Sequence, residues 1–388
     1  MTAANNGVTF ADGFLAAGVR AGIKPSGKPD LALVVNLGPN FSAAGVTTSN
    51  RVAAAPVIWT RQALMDGQLK AVVLNSGGAN ACTGEPGFQD SVISAKRAAK
   101  LLNVAADDIA VCSTGLIGER LPMGKLMPGL DDAVSKLSAD GGLGAATAIM
   151  TTDTHPKQAS VNVGNIKIGG MAKGAGMLAP GLATMLVVIT TDAKITSAQL
   201  QQALRQATRL TFDRTDSDGC MSTNDTVIAM ASGACDQVVN IEDFTQGLTE
   251  VCDCLARQLI GDAEGANHDI AITVTGAASE ADGLEVARQV ARSNLFKCAV
   301  FGNDPNWGRV LSAVGVTGAQ FNPADIDVSF NGVMVCRGGE IGEDRNLVDL
   351  TPRDCQVLID LNAGDEEVTV LTNDLTYDYV KENAEYSS

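Results

Sequence analysis

Residues 173–193 read KGAGMLAPGLATMLVVITTDA and join two kinds of sequence that rarely meet. The segment opens with Lys173 and a glycine-rich loop, which leaves backbone groups open to contact. It closes with the apolar, β-branched run 185–189, which predicts a buried strand. Because Pro180 and Gly181 predict a turn between the two, Thr184 lies at the first position of that strand.

Thr184 lies where a self-cleaving N-terminal nucleophile would be found. Its hydroxyl would attack the carbonyl of Ala183, and the chain break would leave Thr184 with a free α-amine beside its own hydroxyl. An α-amine with a pKa of about 7.7–8.0 can act as general base to a hydroxyl that is otherwise a weak nucleophile. The alternative is a turn followed by a core strand, in which Thr184 serves only as a residue that favours β structure.

The charge of the chain argues against nucleic acid as a partner. Asp and Glu number 44 against 28 Lys and Arg, for a net charge of −16, and no basic cluster offsets this excess. Such a surface repels phosphate backbones. The longest apolar runs are too short to span a bilayer, and the first ten residues, MTAANNGVTF, do not resemble a signal peptide. We therefore expect no membrane partner.

The nine cysteines and two histidines limit the kinds of metal site, disulfide and catalytic triad that the chain can form. The cysteines are odd in number and form no CxxC motif, which fits reduced thiols in a cytoplasmic protein. His155 and His268 are too few for a histidine-rich metal site or a Ser-His-Asp triad. We therefore predict no metal centre.

Hydrophobic patterns predict strands and helices without regular βαβ spacing. The predicted strands are 31–36, 71–75, 109–112, 160–171 (a strand or hairpin), 185–189, 225–232, 270–274, 326–336 and 357–372. The predicted helices are 88–103, 123–137, 144–150, 197–210, 241–260, 280–297 and one that follows the loop 302–309. Residues 1–30 predict loop and a short strand, and the tail 377–388 is polar. This mixture favours an α+β fold with largely antiparallel sheets covered by helices.

Three segments carry groups suited to acyl transfer, each with a structural alternative. Thr114 and Gly115 follow a predicted strand and can form an oxyanion hole, or simply an ordinary turn. Lys173 can bind a carboxylate, or lie solvated on the surface, and no phosphate-loop motif accompanies it. Glu264 ends a predicted helix, where the dipole disfavours an acid. An acid at this position is therefore expected to have an ammonium partner. Glu264 can act as a proton carrier or bind a cationic substrate, or it can be an ordinary surface acid. Residues 222–226 and 302–309 are polar loops that either order a site or form turns.

Eight segments follow one another in a recognisable order. They are NSGGANACTG (75–84), CSTGLIG (112–118), IMTTDT (149–154), KGAGMLAPGLATML (173–186), STNDT (222–226), DAEG (262–265), DPNWGR (304–309) and ENAEYSS (382–388). Together they closely resemble the ornithine acetyltransferase family of arginine biosynthesis, the bifunctional glutamate N-acetyltransferases. The resemblance spans nearly the whole chain.

The resemblance implies self-cleavage between Ala183 and Thr184. The products would be an α chain, residues 1–183, and a β chain, residues 184–388, which stay together as an α2β2 heterotetramer. It also implies the fold of self-processing aminopeptidases and ornithine acetyltransferases, with antiparallel sheets sandwiched between helices.

The resemblance also assigns roles to residues. Thr184 is the nucleophile, Thr114 and Gly115 form the oxyanion hole, and Glu264 acts in catalysis. The substrate-binding positions are Thr151, Lys173, Thr184, Glu264, Asn383 and Ser388.

The implied reaction is a ping-pong transfer of acetyl from N-acetyl-L-ornithine to L-glutamate through acetyl-Thr184. No metal or organic cofactor is expected, although acetyl-CoA can be a second acetyl donor. Two other functions stay open on the residues alone. One is an aminopeptidase or amidase of the same fold, in which water takes the acyl group, and the other is a binding protein that never cleaves.

Overall fold

The computed structural model describes residues 7–177 and 185–385. Within these residues the strands are β1 (Phe14–Val19), β2 (Leu31–Asn36), β3 (Ser42–Thr47), β4 (Ala71–Ser76), β5 (Ile109–Thr114), β6 (Lys157–Val163), β7 (Ile166–Lys173), β8 (Leu186–Thr191), β9 (Thr226–Ala231), β10 (Asp269–Ala277), β11 (Asp327–Phe330), β12 (Val333–Arg337), β13 (Glu340–Ile341), β14 (Asp354–Asp360) and β15 (Glu366–Asn373). The helices are α1 (Ala55–Ala63), α2 (Gly84–Leu102), α3 (Met123–Ser135), α4 (Gly142–Ala148), α5 (Ser197–Leu210), α6 (Ile241–Gly261), α7 (Glu280–Ala291), α8 (Asn294–Phe301), α9 (Trp307–Val314) and α10 (Tyr377–Glu385).

Two sheets face each other in the larger part of the molecule. One has the order β1-β2-β4-β5 and the other the order β3-β9-β8-β7-β6. Side chains from both, such as Val34 and Leu74 on the first and Met171, Val188 and Ile228 on the second, share one buried core. Helices α1, α2 and α3 cover the outer face of the first sheet, and α5 and α6 cover the second. The α+β prediction of sheets sandwiched between helices is therefore confirmed.

Most strand pairs are antiparallel, but both facing sheets contain one parallel pair. β4 and β5 are parallel, with α2 between them in the chain, and β8 and β9 are parallel, with α5 between them. A helix supplies the long crossover that parallel neighbours need. The predicted capping box opens α5, where the Thr196 hydroxyl accepts from the Gln199 N–H at 3.3 Å.

The second facing sheet combines strands from both sides of the undescribed segment 178–184. β3, β6 and β7 precede that segment, whereas β8 and β9 follow it. β8 lies at the centre of the sheet and every one of its residues is buried, as its apolar sequence predicts. A third sheet, β13-β12-β11-β14-β10-β15, packs against α7, α8 and α9 around a separate core.

The structure differs from the sequence prediction at several elements, and strand β3, for example, was not predicted. The predicted helix 280–297 is two helices, because Ser293 ends the first segment and caps α8 by accepting from the Phe296 N–H at 3.3 Å. Helix α1 was not predicted, and its N-cap, Ala54, makes no side-chain cap. Residues Tyr377–Glu385 of the polar tail form α10. In the described part of the chain, no helix combines the length and apolar character needed to cross a membrane.

Candidate active site

One cleft of about 300 Å³ brings together most of the predicted site residues. It is lined by six of them, which come from five separate segments of the chain: Thr114, Gly115, Thr151, Lys173, Glu264 and Asn383. Ala183, Thr184 and Ser388 lie outside the described residues, so the cleavage site and the nucleophile remain predictions. Met177, the described residue that precedes segment 178–184, also lines the cleft.

The Thr114–Gly115 turn at the end of β5 packs against a second glycine turn. The N–H groups of Gly77 and Gly78 both donate to the Thr114 carbonyl, at 2.8 and 3.0 Å. Gly115 has a φ of +132°, and a Cβ built on it would lie 2.5 Å from the Gly78 nitrogen. Both facts require glycine at position 115. The turn is therefore held rigidly, as an oxyanion hole must be.

Lys173 ends β7 and is buried, with 1% of its surface exposed, so the surface alternative is wrong. Its ammonium donates to the Thr114 hydroxyl at 3.3 Å. Burial lowers the pKa of Lys173, and the carboxylates of Asp153 and Glu264 act against that shift. The cleft thus contains a cation beside the candidate oxyanion turn.

Asp153 connects two of the segments that line the cleft. Its Oδ1 accepts from the Gly174 N–H at 2.7 Å and from the Lys157 ammonium at 2.6 Å, and its Oδ2 accepts from the Thr151 N–H at 2.9 Å. Burial acts to raise the pKa of Asp153, but the ammonium groups of Lys173 and Lys157 outweigh it and hold that pKa well below its usual range. The sequence analysis missed this carboxylate, although it lies within the quoted segment IMTTDT.

Glu264 joins three segments at the other wall of the cleft. Its Oε1 accepts from the Thr152 hydroxyl at 2.9 Å, its Oε2 accepts from the Asn383 amide at 3.1 Å, and its N–H donates to the Ala175 carbonyl at 2.9 Å. The expected ammonium partner is not found among the described residues, since no Lys or Arg there forms an ion pair with Glu264. Its negative charge nevertheless acts on the buried Lys173 ammonium, where it opposes the lowering of the Lys173 pKa by burial.

The segment 222–226 positions the start of β8. Asp225 is fully buried and accepts from the Met185 N–H at 3.0 Å and from the Ser222 N–H at 3.1 Å. Burial raises the pKa of Asp225 well above its usual range. The neighbouring Asn224 donates to the Ser113 carbonyl at 2.8 Å. This loop therefore orders the site, which was one of the two alternatives for it.

Three further lining residues carried no sequence signal: Asp218, Cys220 and Tyr379. Asp218 accepts from the Met177 N–H at 2.7 Å and so fixes the residue that precedes the undescribed segment 178–184. Burial, together with the negative charges of Asp218 and Glu264, raises the pKa of Tyr379 to about 12, so its hydroxyl stays protonated at neutral pH.

Comparison with known proteins gives one consistent family. The ArgJ family model matches residues 15–388. The "Arginine biosynthesis bifunctional protein ArgJ" of Streptomyces coelicolor is 59% identical over 381 residues, which cover 98% of this chain and 100% of that relative. The protein of the same name from Thermobifida fusca is 60% identical over 381 residues, with the same coverage. The solved structure of ornithine acetyltransferase complexed with ornithine from Mycobacterium tuberculosis is 53% identical, and the match covers 48% of this chain and 98% of that one, with a TM-score of 0.45.

Proposed function

The chain belongs to the ArgJ family and is an acetyltransferase of arginine biosynthesis. On this premise we propose that it transfers an acetyl group from N-acetyl-L-ornithine to L-glutamate, with Thr184 as the covalent carrier. The observation that supports the site best is the convergence of six predicted residues from five segments on one cleft. Membership of this family favours transfer over the aminopeptidase or amidase alternative.

In the first half-reaction, the Thr184 hydroxyl attacks the acetyl carbonyl of N-acetylornithine. The hydroxyl proton passes to the α-amine of Thr184, which self-cleavage has released. Negative charge then develops on the carbonyl oxygen, and the Thr114 hydroxyl and Gly115 N–H stabilise it. The α-amine returns the proton to the leaving nitrogen, so ornithine departs and acetyl-Thr184 remains.

In the second half-reaction, the amine of glutamate attacks the acetyl-threonine ester. The same oxyanion turn stabilises the second tetrahedral intermediate. The α-amine takes a proton from the attacking glutamate nitrogen and gives it to the Thr184 oxygen as that oxygen leaves. Lys173, Thr151, Asn383 and Ser388 bind the amino-acid substrates in both halves. Support for Lys173 comes from its burial beside Thr114, because a buried ammonium attracts a carboxylate strongly.

We propose that residues 1–183 and 184–388 stay together after cleavage. β7 lies before the cleavage point and β8 after it, and the two pair along their length, from Lys173 with Leu186 to Ile168 with Thr191. β3 and β9 form a second ladder between the two parts. Both ladders would survive a chain break at residue 183. Association of two such pairs as α2β2 is part of the same proposal.

The proposal includes acetyl-CoA as a second acetyl donor, no metal or organic cofactor, and a cytoplasmic location. All nine cysteines lie within the described residues and none forms a disulfide there, in keeping with a reducing compartment. Use of acetyl-CoA is tested by supplying it with glutamate and measuring free CoA. Release no faster than the background rate would contradict this part of the proposal.

The central test combines a product assay with mass spectrometry. The purified protein is incubated with N-acetyl-L-ornithine and L-glutamate, and we expect ornithine and N-acetylglutamate in equal amounts. Under denaturing conditions we expect two chains split after Ala183. With N-acetylornithine alone, the chain that begins at Thr184 should become heavier by one acetyl group. Equal yields of ornithine and acetate, with no N-acetylglutamate, would instead identify a hydrolase.

A further inference from the structure

Lys24 is a half-buried cation on the loop between β1 and β2, close to the cleft. It is not among the described residues that line the cleft. Its ammonium donates to the carbonyl of Met150 and, at 3.1 Å, to the carbonyl of Pro29. Met150 directly precedes Thr151, which does line the cleft. Lys24 therefore holds the residue next to a predicted substrate-binding position.

The loop that carries Lys24 is held in place by Asp30, which is fully buried. The Asp30 carboxylate accepts from the N–H groups of Ala21 and Ile23, both at 2.6 Å, and from the N–H of Lys24 at 2.9 Å. The Asp30 carbonyl accepts from the Ser76 N–H at 2.9 Å, at the end of β4. The backbone of Lys24 is therefore fixed to the first sheet, and its side chain can hold another segment against that sheet.

That other segment is the chain that leaves α4. The last carbonyls of a helix have no partner within the helix and need one from elsewhere. The Ser76 hydroxyl donates to the Ala148 carbonyl, and the Lys24 ammonium donates to the Met150 carbonyl two residues later. A cation is also favourable near a helix C-terminus. Two side chains from the first sheet and its loop thus set the direction in which the chain enters residues 151–153.

The methylene stem of Lys24 touches the other half of the site. A Cβ built on Gly77 would lie 3.1 Å from Lys24 Cγ, so the stem packs directly against that glycine. The Gly77 N–H in turn donates to the Thr114 carbonyl at 2.8 Å. One side chain therefore contacts the glycine loop of the oxyanion turn with its stem and the segment that leads to Thr151 with its ammonium.

The charge of Lys24 also acts on the cleft. Burial lowers the pKa of Lys24 to about 8, the carboxylate of Asp30 opposes that shift, and the positive charge of Lys173 adds to it. Lys24 and Lys173 thus lie near enough for their charges to interact. The Lys24 ammonium adds to the positive field of Lys173, which is proposed to bind a substrate carboxylate.

We propose that Lys24 is a positioning residue of the transferase. It sets the place of Thr151 relative to the oxyanion turn at Thr114 and Gly115, so that a substrate held by Thr151 is aligned with that turn. The inference rests on the proposed function and deepens it, since it names a residue that controls substrate binding without touching the substrate.

Lys24→Met tests this inference, because it keeps the stem against Gly77 and removes the ammonium from the Met150 carbonyl. We expect KM for N-acetylornithine and for glutamate to rise about 10-fold, with kcat within about threefold of wild type. The loss falls on binding because the oxyanion turn keeps its own hydrogen bonds in this variant. Lys24→Arg should restore most of the affinity, since a guanidinium can donate to the same carbonyls. Lys28→Met, the same change at an exposed lysine of the same loop, should leave both constants unaltered.

A double-mutant cycle with Thr151→Ala separates positioning from a general loss of structure. If Lys24 acts through Thr151, the rise in KM caused by Lys24→Met should become much smaller when residue 151 is already alanine. A loss that came only from a weakened fold would be equal in both backgrounds. Thermal melting checks that each variant folds. Should Lys24→Met not fold, Lys24→Gln takes its place with the same expected rise, because it too is neutral and its side chain is shorter.

The outcomes separate the inference from the function beneath it. A folded Lys24→Met enzyme with wild-type KM values, or with the same rise in both Thr151 backgrounds, would overturn the role of Lys24, while the transferase function would stand. A wild-type enzyme that transfers no acetyl group from N-acetylornithine to glutamate would remove both.

Discussion

Replacing Gly115 by alanine tests whether the oxyanion turn depends on close packing of two glycine loops. A Cβ at position 115 would lie 2.5 Å from the Gly78 nitrogen and 2.7 Å from the Gly77 carbonyl carbon, and both are backbone atoms that cannot swing away. The φ of +132° adds backbone strain of about 1–3 kcal/mol for a non-glycine residue. Relief of the clash by loop movement adds about 1–3 kcal/mol more, by analogy with overpacked cores.

The movement that relieves this clash also displaces the Gly115 N–H from the position of the developing oxyanion. Loss of one such donor lowers kcat by about 10²- to 10³-fold. The assay is ornithine release from N-acetylornithine at saturating glutamate, with thermal melting measured in parallel. We expect kcat to fall by that factor and the melting temperature to fall as well.

Gly118→Ala is the matched control, because it introduces the backbone strain of a positive φ without a steric clash of the new Cβ with neighbouring backbone atoms. Gly118 also has a positive φ, +87°, but a Cβ there meets nothing within 4 Å. This variant should lose about 1–2 kcal/mol of folding stability, because alanine disfavours the left-handed backbone. Its kcat should stay at the wild-type value. If Gly115→Ala turned over at the wild-type rate, neither the rigid packing of the two turns nor the role of Gly115 as a donor could be maintained.

Three further predictions concern the nucleophile, the second oxyanion donor and the buried carboxylate. Thr184→Ala should give a single uncleaved chain without transfer, and acetylation of glutamate by that variant would show that the nucleophile lies elsewhere. Thr114→Ala should lower kcat about 10²- to 10³-fold, and steady-state rates equal to wild type would remove Thr114 from this role. Asp153→Asn should destabilise the fold by about 1.5–3 kcal/mol at neutral pH, because it removes the charge-assisted hydrogen bond to the buried Lys157 ammonium, which retains Asp262 as its second partner. The depressed pKa of Asp153 means that its contribution is present above about pH 4, the unfolded value, and declines below it. Urea unfolding from pH 7 to pH 3 should therefore show the gap between Asp153→Asn and wild type narrowing as the pH falls.

Local sequence patterns were sufficient to predict those strands and helices that contain a strong apolar run or a capping motif. The buried run before Thr191 predicted β8, and the Thr196 capping box predicted where α5 begins. Helix α1 carries no such signal, because Ala54 offers no side-chain cap and the helix is only nine residues long. The break between α7 and α8 was not predicted, because the apolar pattern continues across Ser293. Ser293 is the N-cap of α8, and an N-cap residue at this position does not interrupt the hydrophobic periodicity.

The candidate site was predictable where a motif contains the residue and unpredictable where only tertiary contact gives it a role. Lys173 and Glu264 belong to quoted motifs, and both line the cleft. Asp153 and Asp225 lie in quoted motifs too, but their importance comes from N–H groups at positions 174 and 185, brought to them by the fold. Tyr379 reaches the cleft from α10, near the end of the chain, and sequence spacing cannot encode that approach.

The sheet that spans the predicted cleavage site explains how a chain break and a precise active site can coexist. Lys173 ends β7 directly opposite Leu186, the first residue of β8, and Met185 is held by Asp225. These contacts hold Met185 and Leu186, the first described residues after the predicted break. Cleavage would therefore release the chain that leads into the site while β8 stays fixed between β7 and β9. A new N-terminus at residue 184 would begin next to an anchored residue, and its α-amine would need little reordering to act as a base.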